Sequence, residues 1–260
     1  MSEVRHGAGG QLYESGLLDG ALGGLMRPGG LALTERALGF CGLPAGARVL
    51  DVGCGLGASV EYLRQSLGLN AVGVDSSRAV VERGRQRCPG LPLIRGSGAL
   101  LPFGSGTADA VLLECSLSAA RDRSGLLAEC SRVLAPAGKL AVSDLYLRGE
   151  KGPSSEEALS RSCAAGIATR EQLASSLAAE GFQIALWEDH SRALCEFLAA
   201  LIFHEGSLDG FWRCQCERPS QLPKVKEAMR RMRPGYCLLV ATKRAGSEKE
   251  AKPWVTSRCA

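Results

Sequence analysis

The residues that carry the most chemistry lie in one short segment, Val49-Leu50-Asp51-Val52-Gly53-Cys54-Gly55-Leu56-Gly57, with Asp75 placed 18 residues beyond its last glycine. Glycine permits the positive φ values of a tight turn and leaves no Cβ between backbone and ligand. An apolar run precedes the turn, and Val60, Leu63 and Leu67 recur after it at helical spacing. The turn therefore joins a buried strand to a helix. Val72-Gly73-Val74-Asp75 reads as the neighbouring strand, and its terminal carboxylate is placed to accept hydrogen bonds from both hydroxyls of a ribose. A nucleoside ligand follows from the combination, which a glycine-rich turn alone would not carry.

Two ligand classes share this geometry. A dinucleotide turn reads Gly-x-Gly-x-x-Gly and sets a helix N-terminus on a pyrophosphate. Here the spacing is Gly53-x-Gly55-x-Gly57, with Asp51 two positions before the first glycine. An acidic residue beside the turn suits a ligand with cationic groups and no phosphate. S-adenosylmethionine (SAM), with its ammonium and sulfonium, is such a ligand, and a nicotinamide dinucleotide is the rival.

On these residues the chain resembles the class I SAM-dependent methyltransferases of the type 11, UbiE-like group. Val49 to Gly57 is similar to their motif I and Val72 to Asp75 to their acidic second motif. Gly96-Ser97-Gly98-Ala99-Leu100-Leu101-Pro102-Phe103 is similar to the loop over the adenine, Asp109-Ala110-Val111 to the fourth strand, and Arg132 to Leu140 to the approach to the fifth. The resemblance spans about Cys41 to Asp144. It implies SAM as cofactor, leaving as S-adenosylhomocysteine. It also implies Gly53 and Gly55 at the amino acid portion, Asp75 at the ribose, and Ser97, Gly98 and Ala99 at the adenine, with Asp51, Cys54, Gly57 and Ser76 among the cofactor-binding residues and Asp51 acting directly or by fixing the turn. Glu114 and Cys115, running on to Ser116, would line the cofactor near its methyl group. Ser97 stands where the family often has Asp, and a neutral acceptor makes the weaker bond to the adenine amino group.

These residues need a scaffold. Short apolar runs at Arg48 to Val52, Ala71 to Asp75, Leu91 to Gly96, Ala108 to Cys115 and Lys139 to Asp144 alternate with amphipathic stretches, the pattern of parallel strands with crossover helices. Thr169-Arg170-Glu171-Gln172 is a capping box opening a further helix that Gly181 ends. Phe182 to Trp187 and Tyr236 to Thr242 complete seven strands. The expected fold is α/β, a Rossmann-like doubly wound seven-stranded sheet, mostly parallel with an antiparallel last strand. Residues 1–40 form an N-terminal arm and helix, loosely packed and able to cover the cofactor. Residues 41–243 form the SAM-binding domain, with a helical lid insert at 190–233, and 244–260 a flexible tail.

Methyl transfer asks the protein mainly to align a nucleophile with the methyl group, so no single side chain is required by the chemistry. Glu114, His190 and Cys163 are the catalytic candidates; Asp144 and His204 read as structural. Cys163-Ala164-Ala165-Gly166 is similar to a segment of the arsenite methyltransferases, and Cys214 and Cys216 are the thiols that would join it on a soft metalloid. The cysteine that those enzymes carry soon after motif I falls at Val60 here. A SAM-binding accessory protein without transfer activity is a further alternative. The 11 cysteines include no pair of Cys-x-x-Cys units, so no metal site is expected.

The net charge of +4 is small for 260 residues, which favours a small-molecule acceptor over nucleic acid. The basic stretch Lys224 to Arg233 reads equally as a solvated helix face. With no apolar leader and no run long enough to span a bilayer, the expectation is a cytoplasmic protein without a membrane partner. No motif encodes the accepting atom or an oligomeric state.

Overall fold

The computed structural model describes residues 14, 27–150, 152, 157, 159, 162–214, 216 and 218–244. Strands β1 (Arg48–Val52), β2 (Asn70–Asp75), β3 (Leu93–Arg95), β4 (Ala108–Glu114), β5 (Leu134–Tyr146), β6 (Phe182–Asp189) and β7 (Gly235–Lys243) form one sheet in the order β3-β2-β1-β4-β5-β7-β6. The pairs from β3 through to β5 are parallel, and β7 lies antiparallel between β5 and β6. The seven-stranded, mostly parallel sheet expected from the sequence is thus present.

Side chains alternate across each strand, and the two faces bury separate cores. Val49, Ala71, Ala110 and Leu112 pack against Ala37, Leu38 and Cys41 of α1 (Gly30–Cys41), Val60 and Leu63 of α2 (Ala58–Gln65), and Val81 of α3 (Arg78–Arg87). Leu50, Val52, Val72, Val74, Val111 and Leu113 pack on the opposite face. Their partners are Leu126, Leu127, Cys130 and Val133 of α4 (Arg123–Val133) and Leu173 and Leu177 of α5 (Arg170–Ala179). Helices on both faces make the sheet doubly wound. Its order reverses between β1 and β4, so their connections leave in opposite directions and a crevice opens at their C-terminal ends.

Local signals set several boundaries. The Thr169 hydroxyl accepts from the Gln172 amide while the Gln172 side chain accepts from the Thr169 amide, completing the capping box of α5. Gly42, at φ 61°, closes α1. Two strands differ from expectation. β3 is shorter than Leu91 to Gly96 because Leu93 donates back to the Leu91 carbonyl in a tight turn at Pro92. β5 starts earlier, at Leu134, because Ala108 pairs with it across a register shift that absorbs Pro136 to Gly138.

The insert holds α6 (Ser191–Glu205), α7 (Asp209–Arg213) and α8 (Leu222–Met232), with a turn of 3-10 helix before α8. Where the arm is described at its end, it is not loose: Pro28 is buried and Arg27 is tied into the site. Residues 1–13, 15–26 and 245–260, which carry the rest of the arm and the tail, lie outside the described residues. Among those described, no helix is long and apolar enough to cross a membrane.

Candidate functional site

The turn after β1 has the left-handed backbone that its glycines allow: φ is 83° at Gly53, 55° at Gly55 and 78° at Gly57. Gly53 and Cys54 donate to the Val74 carbonyl, tying the turn to β2. A Cβ on Gly53 would sit 2.5 Å from the Ser116 Cβ, so the turn and the segment after β4 touch where only hydrogen fits. The Asp75 carboxylate accepts from the Gly55 amide at 3.0 Å and from the Ser77 amide at 2.9 Å. It therefore fixes the turn and the start of α3 at once. Ser77 also donates to the Glu14 carboxylate at 2.6 Å, which brings one residue of the N-terminal arm beside Asp75.

At the tip of β4 the Glu114 carboxylate gathers three donors from three parts of the chain. Thr34 on α1 and Ser59 on α2 each donate at 2.7 Å, and Arg27 pairs with it at 3.0 Å. The Arg27 and Glu114 side chains are only 9% and 8% exposed. Arg27 also donates to the Thr34 hydroxyl at 2.6 Å. Burial weakens its charged form, but Glu114, Tyr236, Asp51 and Cys115 together hold its proton more firmly than usual.

Asp51 lies on the same sheet face as Val49 by strand alternation, 2% exposed, at the base of the turn. Among the described residues its Oδ1 has no hydrogen-bond partner, and neither has the Arg27 Nε. Burial and the nearby Glu114 raise the Asp51 carboxyl above its ordinary range, and Arg27 opposes them. Two unsatisfied buried groups of opposite sign, within electrostatic reach of each other, thus stand beside a glycine turn. Gly53 in that turn is exposed while Asp51 and Val52 are buried.

Beyond Glu114, Cys115 adopts a left-handed φ of 54°, which costs a residue bearing a Cβ roughly 1–2 kcal/mol. Its thiol lies 3.2 Å from the Tyr236 hydroxyl, itself against Ser143. Burial and nearby Asp144 push the Cys115 thiol up, so it stays protonated. Asp144 is spent on structure: it accepts from the amides of Leu117, Ser118 and Leu145 and from the Ser118 hydroxyl. The Ser118 hydroxyl also lies 2.9 Å from the Cys163 carbonyl, which competes with Asp144 for its one proton, and the Cys163 thiol is close enough to act on the Cys115 charge. The fold therefore brings Cys163 to the outer side of the β4 tip, although it lies 48 residues away along the chain.

The other candidates fall as follows. Ser97 and Ala99 are exposed, with the Ser97 hydroxyl accepting from the Ala99 amide, and Gly98 is half-buried. Ser76 is exposed beside Asp75. His190 precedes α6 with its ring 2.9 Å from Glu188, which also pairs with Arg36; this is an edge-strand ion cluster joining α1 to β6. His204 is exposed and pairs with Glu205. Cys216 is buried in the core of the insert with Ala164, Ile167 and Val225, its thiol donating to the Trp212 carbonyl. Among the described residues no three His, Cys, Asp or Glu side chains gather as a metal or metalloid site requires.

Sequence reasoning missed Arg27, Thr34 and Ser59. For Thr34 and Ser59 the only signal is polarity at positions that helix periodicity assigns to the buried side; Arg27, which precedes α1, carries no such signal. Thr34 is 1% and Ser59 3% exposed.

Comparison with known proteins bears on what this geometry serves. Residues 50–142 match the family model described as a methyltransferase domain. A demethylmenaquinone methyltransferase from Renibacterium salmoninarum is 37% identical over 103 residues, which are 40% of this chain and 43% of that protein. Methyltransferase GfsG from Streptomyces halstedii is 32% identical over 126 residues, 46% of this chain and 45% of its own. The chain thus spans less than half the length of these curated relatives. Among solved structures, the [4+2]-cyclase SpnF superposes with a TM-score of 0.69 at 24% identity, covering 91% of this chain and 95% of that one. Phosphoethanolamine N-methyltransferase 2 of Haemonchus contortus, in complex with S-adenosyl-L-methionine, gives 0.69 at 19% identity, covering 89% and 57%.

Proposed function

We propose that this chain, whose residues 50–142 match the methyltransferase-domain family model, is a class I SAM-dependent methyltransferase that binds SAM and transfers its methyl group to a small apolar acceptor. The observation that carries the reading is the buried, unpartnered pair of Asp51 Oδ1 and Arg27 Nε beside the glycine turn. An amino acid zwitterion satisfies both: its ammonium donates to the carboxylate and its carboxylate accepts from the guanidinium. A pyrophosphate would satisfy Arg27 and leave Asp51 facing like charge.

SAM, when bound, supplies a methyl group on a sulfonium, with a neutral thioether as leaving group. The chain's own residues do the rest. The turn from Gly53 to Gly57, including Cys54, presents backbone close to the ligand. Asp75 with Ser76 stands at the β2 tip for the ribose, and Ser97 to Ala99 lie beyond β3 for the adenine. Glu114 holds α1 and α2 against β4, so that Arg27 and Asp51 stay in register. Holding the reactants in line is worth about 7–11 kcal/mol of barrier in favourable cases.

On the acceptor side, Leu33, Leu194, Leu198, Leu145, Cys115 and Tyr236 form an apolar cluster between α1, α6 and the strand tips. An apolar cluster at this position supports an apolar acceptor, the general class suggested by the demethylmenaquinone methyltransferases among the relatives. Keeping Cys115 as a thiol also protects it from methylation, because the thiolate is the nucleophilic form. A SAM-binding protein without transfer is the second reading, favoured by the saturation of Glu114 with three donors.

Calorimetry with SAM, S-adenosylhomocysteine and NADH, followed by a screen of quinols, phenols, thiols and arsenite with labelled SAM, tests these readings. SAM binding lost in Asp51→Asn together with label transfer to an apolar acceptor is the expected result. Preference for NADH would overturn the cofactor assignment, and tight SAM binding with no labelled product would favour the second reading.

A further inference from the structure

We infer that the lid insert docks this protein on an anionic phospholipid surface. Along α6 the residues Leu194, Phe197 and Leu201 face inward. The other side, at spacings of four and three, presents Cys195, Ala199 and Ile202, all exposed. Phe203 stands beside them with 95% of its surface in water and Ile202 with 46%. Two large exposed apolar side chains at a helix end are costly in water and gain on entering a lipid headgroup region.

The same insert carries a basic stretch after Gly206, while residues 190–233 as a whole hold eight Lys and Arg against five Asp and Glu, with Glu196 and Glu205 on α6. Between Gly206 and Arg233 seven Lys and Arg stand against three Asp and Glu, a surplus equal to the net +4 of the whole protein. α8 concentrates it. Val225, Ala228 and Met232 face inward, while Lys224, Lys226, Arg230, Arg231 and Arg233 are exposed. A run of basic residues on an amphipathic helix is the charge pattern that anionic lipids attract.

The fold holds the two features together. α6 ends at Gly206 with a left-handed φ of 74°, and α7 follows at Asp209, which pairs with Lys226 on α8. Phe203 is therefore tethered to the basic helix by six residues, a reach of about 20 Å at most. Apolar anchors on the same insert as a basic helix distinguish a lipid surface from nucleic acid, which takes the charges and leaves Ile202 and Phe203 in water. Among the described residues no helix is long and apolar enough to span a bilayer, and lying on one is a different demand. The inference is independent of the methyl-transfer reading, since its test uses no SAM.

The experiment is co-sedimentation of the full chain with vesicles of phosphatidylcholine alone and of phosphatidylcholine with 30% phosphatidylglycerol. Binding only to the anionic vesicles, and its loss as salt is raised, is expected. Phe203→Glu should weaken partition roughly tenfold, and Lys224→Gln with Arg230→Gln about fivefold for each charge removed. Unchanged circular dichroism and melting temperature in these exposed-site variants confirm that folding is intact. Equal binding to neutral vesicles, no binding to either, or unaltered partition in Phe203→Glu overturns the inference. So does a concentration-dependent dimer that Phe203→Glu dissociates, which would assign the face to a second copy, or RNA binding that Phe203→Glu leaves intact while vesicles fail to bind.

Discussion

Replacing Arg27 with Met tests whether the strand tips are held by a buried charge. Arg27 serves Glu114, Thr34 and the Gly30 carbonyl, and both members of its ion pair are less than one-tenth exposed. An exposed pair contributes about 0–1 kcal/mol. Removing one partner of a buried pair costs about 3–5 kcal/mol, because the other charge stays buried and uncompensated. Here two carboxylates are left, Glu114 with only two hydroxyl donors and Asp51 with an unpartnered oxygen. For a chain of this size that loss corresponds to a fall in melting temperature of roughly 6–20 °C.

The pH dependence carries a further sign. Burial and Glu114 raise the folded Asp51 carboxyl above its ordinary value of 3.8, and Arg27 restrains the rise. A group whose folded value is raised contributes stability that is fully present below its unfolded value and is lost as pH rises through the folded one. Without Arg27 the folded value moves higher still, so the decline should extend to higher pH than in the parent. Urea unfolding of the parent and Arg27→Met across pH 4–8, repeated in a Glu114→Gln background, measures this. A loss below about 1 kcal/mol, or the same loss with and without the Glu114 charge, would refute the buried-pair argument.

Three other outcomes follow from the same geometry. Gly53→Ala forces a Cβ to within 2.5 Å of the Ser116 Cβ at a φ of 83°, and should cost about 2–4 kcal/mol by calorimetric unfolding and abolish SAM binding. Asp75→Ala should weaken SAM affinity by ~1.5–3 kcal/mol per charged hydrogen bond lost, read by titration calorimetry. Thr169→Ala removes a side-chain cap and should lower stability by ~1 kcal/mol with SAM affinity unchanged, a control that separates folding from binding.

The sheet was legible because its signals are local. Alternation placed Leu50 and Val49 on opposite faces, glycines marked the turn, and Thr169 with Gln172 announced the start of α5. The spacing to Asp75 correctly put it at the next strand tip, although in the structure it also secures Gly55 and Ser77. The electrostatic core of the site was hidden because its members are distant in sequence. Thr34 and Glu114 are 80 residues apart and Ser59 and Glu114 are 55 apart. Nothing in their neighbourhoods distinguishes a buried polar contact from a surface one. Arg27 was concealed further by the glycines around it, which read as a loose arm. His190 has a strand-end position like that of a base, but its neighbour Glu188 two residues earlier takes the ring instead.

The placement of β7 bears on how the chain can be assembled. Its eight-residue register with β5, from Lys139 to Tyr146, and its partnership with β6 both wait on residues 235–243. As the chain emerges from the ribosome, the inner edges of β5 and β6 stay open until this last stretch of the sheet is made. Unpaired strand edges invite intermolecular pairing. Fragments ending before Gly235 should therefore aggregate rather than yield a working half, which makes the position of a stop codon or a protease nick in this region decisive for whether any active molecule accumulates.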